Sequence, residues 1–243
     1  MNEPLLRLSG VTKRFGGFVA LDQIDLNVNQ GERIGLLGPN GSGKSTLVDC
    51  ISGVQRNDGG SIQFEGREIS QLAAYRRARL GLARSFQLPK PFASMSVMDN
   101  LLVPMLYATK RHSDSPRHRI VEETMEILRL VGLAEKAAAR SVGLTQVDMR
   151  KLELARALAA KPKLLIADES MAGLSSAEVD EILQLLFCLR EQDIAVIMIE
   201  HIMRTVMRFS ERIVVIVAGR KIADGDPESV VANREVIGAY LGE

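Results

Sequence analysis

Cysteine is nearly absent from this chain: only Cys50 and Cys188 occur. They are far apart and lack any metal-ligand spacing, which excludes a disulfide scaffold and reads as reduced thiols in a cytosolic protein. An excess of one charge is also missing. The 31 Lys and Arg residues face 30 Asp and Glu, for a formal net charge of +1. That leaves no clustered basic footprint and argues against a nucleic-acid partner. No apolar run approaches the roughly 18 residues of a membrane helix. The longest, Ile194 to Ile199 and Ile213 to Ala218, have strand length. Met1-Asn2-Glu3-Pro4 does not look like a charged region leading into an apolar one, so no secretory leader is expected. Internal repeats and low-complexity segments are absent too. If the protein works at a membrane, it docks there through partners.

What is present is an ordinary globular composition, 46% hydrophobic and 25% charged over 243 residues. That length fits one domain over 1–243, or one with an inserted lobe, and buries a sizeable core without disulfides or metal.

The first thirty residues alternate with strand period through Leu6, Leu8, Ile24, Leu26 and Val28, with Gly16-Gly17 as a turn. Arg33 to Leu37 reads as a buried parallel strand, followed by a helix from Lys44, and Ser61 to Phe64 as another strand. From about 94 to 160 apolar residues recur at helical spacing, interrupted by a polar loop from Thr109 to Pro116. Strand and helix then alternate: strand 164–167, helix 176–191, strand 195–199, helix 203–209 and strand 212–217. A hairpin turn at Gly219-Arg220 and an amphipathic helix over 227–241 complete the pattern. Alternating β and α with glycine-rich turns predicts an α/β fold with a mostly parallel sheet, into which the helical stretch is inserted.

Gly38-Pro39-Asn40-Gly41-Ser42-Gly43-Lys44-Ser45-Thr46 matches G-x-x-x-x-G-K-[ST] between a predicted strand and a predicted helix. Glycines let successive N–H groups turn inward around phosphate, and the helix N-terminus adds positive potential. Lys44 is then the contact for the outer phosphates, and the Ser45 hydroxyl is a ligand for Mg²⁺. Taken alone, the motif specifies a nucleoside triphosphate. Lys163 to Glu169 is an apolar strand ending in two acids: Asp168 suits Mg²⁺, through water, and Glu169 suits a general base. A solvated strand end would look the same. His201, one strand later, and Gln87, between the phosphate loop and the helical stretch, gain meaning only from this order.

That order, with the Leu152 to Leu158 helix before Asp168-Glu169, resembles the ATP-binding subunits of ABC transporters over essentially the whole chain. The resemblance implies an ABC-type P-loop NTPase: a parallel core sheet, an antiparallel β subdomain and an inserted helical subdomain. It implies that ATP and Mg²⁺ are bound, that Phe15 stacks on adenine, and that Gln87 senses Mg²⁺ and γ-phosphate and couples to the membrane subunit. Glu169 would be the catalytic base, His201 the switch, and Ala172 to Ser175 the loop crossing to a partner domain. The implied partners are a second ABC ATPase chain, two membrane permease subunits and, indirectly, an extracytoplasmic solute-binding protein. The implied location is peripheral, on the cytoplasmic face of the cell's inner membrane. Leu82 to Gln87, Met95 to Leu102, Ile199 to Met203 and Val236 to Gly242 resemble the branched-chain amino acid uptake branch most, whose relatives also move urea and amides. Other readings are lipopolysaccharide export, a non-transport ABC ATPase, and a nucleotide-dependent regulator without turnover.

One motif departs. Where the family carries Leu-Ser-Gly-Gly-Gln, this chain has Leu144-Thr145-Gln146-Val147-Asp148. Val147 replaces a glycine that allows close approach to a partner's γ-phosphate, and Asp148 puts a negative charge beside it. Ser170 also replaces a proline usual after the catalytic acid. The expectation is a heterodimer in which this chain's phosphate loop meets an intact signature from a different ATPase chain.

Overall fold

The structure, a computed structural model, describes residues 3–85, 90–108, 117–169, 171–200 and 202–241. Gln87, Ser170, His201 and the stretch expected as a loop at 109–116 lie outside the described residues.

Two long antiparallel strands open the chain, β1 (Leu6–Phe15) and β2 (Phe18–Val28), around the Gly16-Gly17 turn. Leu6 and Leu8 point inward while Arg7 and Ser9 stay outside, as the alternation requires. Next come β3 (Arg33–Leu37), α1 (Lys44–Ser52), β4 (Gly59–Phe64), β5 (Arg67–Glu68), α2 (Ala74–Ala78) and β6 (Leu82–Ser85). Three helices follow: α3 (Val97–Ala108), α4 (Arg117–Leu130) and α5 (Gln146–Ala159). The remainder is β7 (Leu164–Asp168), α6 (Ser176–Cys188), β8 (Ala195–Ile199), α7 (Met203–Phe209), β9 (Arg212–Val217), β10 (Arg220–Gly225), α8 (Pro227–Ala232) and α9 (Arg234–Leu241).

The strands form two sheets. One is antiparallel in the order β2-β1-β4-β5; the other runs β10-β9-β3-β8-β7-β6, parallel except for β10 at its edge. The parallel strands are buried on both faces, and their residues are shared out by parity. Leu164 and Ile166 of β7 join the core beneath the antiparallel sheet and α1, whereas Leu165 and Ala167 join the core with α5 and α6. β8 divides likewise, with Ile197 on one side and Val196 and Met198 on the other. Near-continuous apolar runs are what a doubly covered strand needs.

Three details differ from expectation. The hairpin turn sits one residue earlier, at Ala218-Gly219, both at positive φ, and Arg220 already pairs with Val217. Two left-handed residues match the twist of the strands they join. The helix expected over 227–241 is two helices, broken at the extended Asn233, whose Oδ1 accepts from Glu235 N at 2.9 Å. A capping asparagine starts a new helix more readily than it continues an old one. The helix expected over 176–191 is α-helical only to Cys188 and ends in a 3₁₀ turn at Leu189–Gln192.

Arg77 of α2 is 1% exposed, yet its guanidinium donates only to carbonyls: Leu72 O, Ser70 O, Cys50 O and Ile51 O, at 2.6–2.9 Å. The last two belong to the final turn of α1, so the cation caps the negative end of the helix that follows Gly43. Burial lowers the pKa of Arg77, and the surrounding carbonyls are what make the cation tolerable there. Arg77→Met leaves several buried acceptors without donors. It should cost about 3 kcal/mol and lower Tm by about 6–12 °C, measured by thermal unfolding.

Candidate functional site

β3 ends in the middle of the parallel sheet, between β8 and β9, and delivers Gly38 into the loop. At Gly38 (φ +152°) a Cβ would lie 2.1 Å from Ile216 O; at Gly43 (φ +110°) it would lie 2.6 Å from Ala20 O. Only glycine accepts both the conformation and the approach. The loop is further tied by Gly219 N donating to Ser42 O at 2.9 Å. α1 then starts at Lys44, so its first N–H groups border the loop.

Lys44 is buried, and its Nζ donates to Gly38 O (2.7 Å) and Pro39 O (3.0 Å) across the loop. Burial lowers its pKa, opposed by the charges of Glu169 and Asp168, which places all three groups in one electrostatic neighbourhood. Ser42 Oγ is buried with no hydrogen-bond partner, and a Cβ on Gly41 would meet nothing within 4 Å. An unsatisfied hydroxyl beside a loop open on its outer side fits a polyanion that supplies acceptors. Ser45 is exposed at the first turn of α1. Among the described residues no three His, Cys, Asp or Glu side chains gather to hold a metal. The Ser45 hydroxyl and the Asp168 carboxylate are oxygen donors of the kind Mg²⁺ takes singly or in pairs, the rest of its shell coming from phosphate and water.

The acid pair closes the site. Asp168 ends β7, and its Oδ2 accepts from Arg84 Nη2 at 2.7 Å. Glu169 has φ +45°, unusual for a side-chain-bearing residue, and its N–H donates to Ile199 O at 2.9 Å. Such a conformation costs of order 1–3 kcal/mol and persists where the surroundings enforce it. Glu200, buried at the end of β8, accepts from Met171 N at 2.9 Å and so holds the segment after Glu169.

Side-chain hydrogen bonds of the Leu144 to Asp148 segment run to α5, Lys136 and Ala172. Thr145 caps α5, its hydroxyl accepting from Asp148 N at 3.3 Å. Gln146 Nε2 and Arg150 Nη2 both donate to Ala172 O, at 3.5 and 3.3 Å. Burial pushes the Asp148 carboxyl up, but the Lys136 ammonium and the Thr145 hydroxyl hold it below the usual carboxylate value. The charge expected to oppose a triphosphate is therefore neutralised by Lys136. Phe15 is 48% exposed at the outer end of β1, with Lys13 Nζ 5.4 Å from its ring centroid. Its cross-strand neighbour Phe18 is 63% exposed. Sequence reasoning passed over Phe18, Arg84, Arg150 and Glu200. Phe18 was findable as the aromatic opposite Phe15 across a tight turn; the others carry no local signal.

Lys136→Met strands the Asp148 carboxylate. A depressed folded pKa contributes stability above the unfolded carboxylate value and loses it as pH falls through the folded one. The variant should therefore lose about 1–2 kcal/mol at neutral pH, the partial exposure of Lys136 limiting the effect. The gap to the parent should narrow in urea melts repeated at about pH 3.

Comparison with known proteins agrees with this geometry. A family model described as "ABC transporter" matches residues 21–172, and one described as "Branched-chain amino acid ATP-binding cassette transporter" matches 220–243. The high-affinity branched-chain amino acid transport ATP-binding protein BraF of Pseudomonas aeruginosa is 39% identical, and the match covers 100% of both chains. LivG of Escherichia coli, with the same description, is 35% identical, again over 100% of both. Among solved structures, a nucleotide-free ATP-binding cassette superposes with TM-score 0.89 at 29% identity, covering 99% of this chain and 100% of that one. A cassette in its ADP conformation gives 0.88 at 30% identity, covering 100% of each. On these matches and on the loop and acid pair described above, the chain belongs to the ATP-binding cassette transporter family, as an ATP-binding ATPase subunit.

Proposed function

We propose that this chain is the ATP-hydrolysing subunit of an importer for branched-chain amino acids or a related small solute. The observation that carries the reading is the meeting of one glycine loop, Lys44 and the Asp168-Glu169 pair at the ends of β3 and β7, the two core strands that flank β8. The match of residues 220–243 to the branched-chain amino acid cassette family supports the solute class.

In this reading the loop N–H groups from Gly38 to Thr46 and Lys44 hold the triphosphate, and Phe15 stacks on the adenine. Ser45 and Asp168, with Gln87, would hold Mg²⁺, which would supply positive charge to offset that of the phosphates. Glu169 takes the proton of the attacking water, and His201 orients the γ-phosphate side. ATP joins two cassettes, and this closure drives the membrane subunits because it is tighter in one access state than in the other. Hydrolysis resets the pair.

The membrane subunits would dock in the groove of about 340 Å³ between α2, β6 and the helices α3 and α5. Tyr75, Val54 and Pro104 give it an apolar wall, and Arg156 lies over Phe92 at 5.2 Å on the side of the Lys90-Pro91-Phe92 segment. No helix among the described residues is long and apolar enough to cross a membrane. The membrane subunits would be separate chains, with this one on their cytoplasmic side.

The second cassette would be a different chain. With Asp148 neutralised by Lys136, the case rests on Gln146 and Val147, whose side chains stand where glycines allow close approach. This chain's loop would then meet an intact signature and turn over quickly, while the partner's ATP, facing Thr145 to Val147, turns over slowly.

Two measurements test the reading. Glu169→Gln should cut turnover by about 100-fold or more while leaving ATP binding in place. Restoring the signature with Thr145→Ser, Gln146→Gly, Val147→Gly and Asp148→Gln should raise ATP turnover of the assembled transporter; no rise would sink the asymmetric pairing. A chain that fails to co-purify with membrane subunits from a mild detergent extract would instead favour the regulator.

A further inference from the structure

Arg84 has no part in the mechanism above, yet it reaches the site and the groove at once. Its Nη1 donates to Asp49 Oδ1 at 2.6 Å and its Nη2 to Asp168 Oδ2 at 2.7 Å. The Arg84 and Asp168 side chains are only 13% and 10% exposed, so water and salt screen this pair weakly. One planar guanidinium thus joins β6, the helix that continues the phosphate loop, and the strand that ends in the acid pair. Lysine, a single point charge, could not span both carboxylates in this way.

The same residue lines the groove, beside Leu82 and Ala83 of its own strand and opposite Ala157 of α5. β6 is four residues long and, among the described residues, pairs only with β7, residue for residue from Leu82–Leu164 to Ser85–Ala167. It is the edge strand of the parallel sheet, so it shifts at less cost than the strands buried between two neighbours. Whatever moves β6 from the groove side must carry the guanidinium with it, pulling on Asp168, or break two short charge-assisted bonds, the one to Asp168 in a nearly dry place.

We propose that Arg84 is a positioning residue that couples the groove to the metal-serving carboxylate of Asp168. It takes one oxygen of that carboxylate, keeps Asp49 from repelling it, and fixes its orientation relative to the phosphate loop. Displacement of the groove floor resets Asp168, and metal arriving at Asp168 is felt in the groove. The physiological meaning of this link rests on the groove being the docking surface; the link itself exists in the chain alone.

The chain contains no tryptophan, so Tyr75→Trp places a single reporter in the groove wall at a position that is 56% exposed. In a Glu169→Gln background, the full chain is loaded with ATP in EDTA and then given Mg²⁺. The expected result is a change in the indole emission on Mg²⁺ addition that is lost in Arg84→Met. ATP affinity, read with a fluorescent analogue, should stay within about threefold. A purely structural role for Arg84 would lower ATP loading and Tm without removing the Mg²⁺-specific step. An indole silent to Mg²⁺ in the parent, or equally responsive in Arg84→Met, overturns the proposal. If Arg84→Met does not load ATP, the comparison is made with Arg84→Lys, where loss of the response is again expected and its full persistence again overturns the proposal. Failure of the chain to associate with membrane subunits would sink the transport reading without touching this outcome, since the reporter is read on the chain alone.

Discussion

The backbone from Gly38 to Gly43 threads a gap with no space for a side chain at either end: the Ile216 carbonyl closes one side and the Ala20 carbonyl the other. This close approach orders much of the molecule. It requires β3 to lie beside β9, so that the loop leaves the sheet next to Ile216. It requires the antiparallel sheet to pack so that β2 reaches Gly43. The β9–β10 turn is drawn in as well, because Gly219 N donates to Ser42 O while Asp22 N donates to Gly219 O. Loop, turn and β2 therefore form one rigid unit. A loop that must present N–H groups to phosphate without reorganising benefits from such support, since ordering that is complete before binding is not charged against affinity.

Around that unit, buried charge is handled by arginines whose partners come from distant parts of the chain. Arg77 meets carbonyls of two segments and secures the far end of α1. Arg84 meets two carboxylates and secures its middle. Arg150 donates to Ala172 O, and burial lowers its pKa against the opposing charges of Glu200, Glu153 and Glu169. An apolar contact at these places would hold position but carry no orientation. Directional bonds that must break or move together are suited to a protein that changes state with its ligand. They are also costly to disrupt singly, because each leaves a buried partner exposed to low dielectric.

Much of this was legible along the chain. The loop from Gly38 to Thr46 declared itself by glycines at fixed spacing between a strand and a helix, and Arg33 to Leu37, Leu164 to Asp168 and Ala195 to Ile199 by unbroken apolar runs. β6 did not, because Leu-Ala-Arg-Ser is short and half polar; its arginine faces carboxylates brought from elsewhere rather than water. The break at Asn233 was missed because the apolar period continues across it, and only the side-chain cap distinguishes two helices from one. Asp148 was read as a bare charge because Lys136, twelve residues away, has no reason to meet it until the intervening turns fold back.

The sequence by itself determined the chemistry class and the strand-turn-helix that carries it, since phosphate binding by backbone N–H groups needs only a local pattern of glycines, one lysine and one hydroxyl. It also determined which strands are covered on both faces, because burial writes itself into composition. Tertiary structure alone decided which charges are paired, that Glu169 is held at positive φ, that Gln146 leans on Ala172, and that Arg84 ties the groove to Asp168. Lys136 and Asp148 are 12 positions apart, Gln146 and Ala172 are 26, and Arg84 and Asp168 are 84, and pair energies at such separations come from packing geometry that no local window contains.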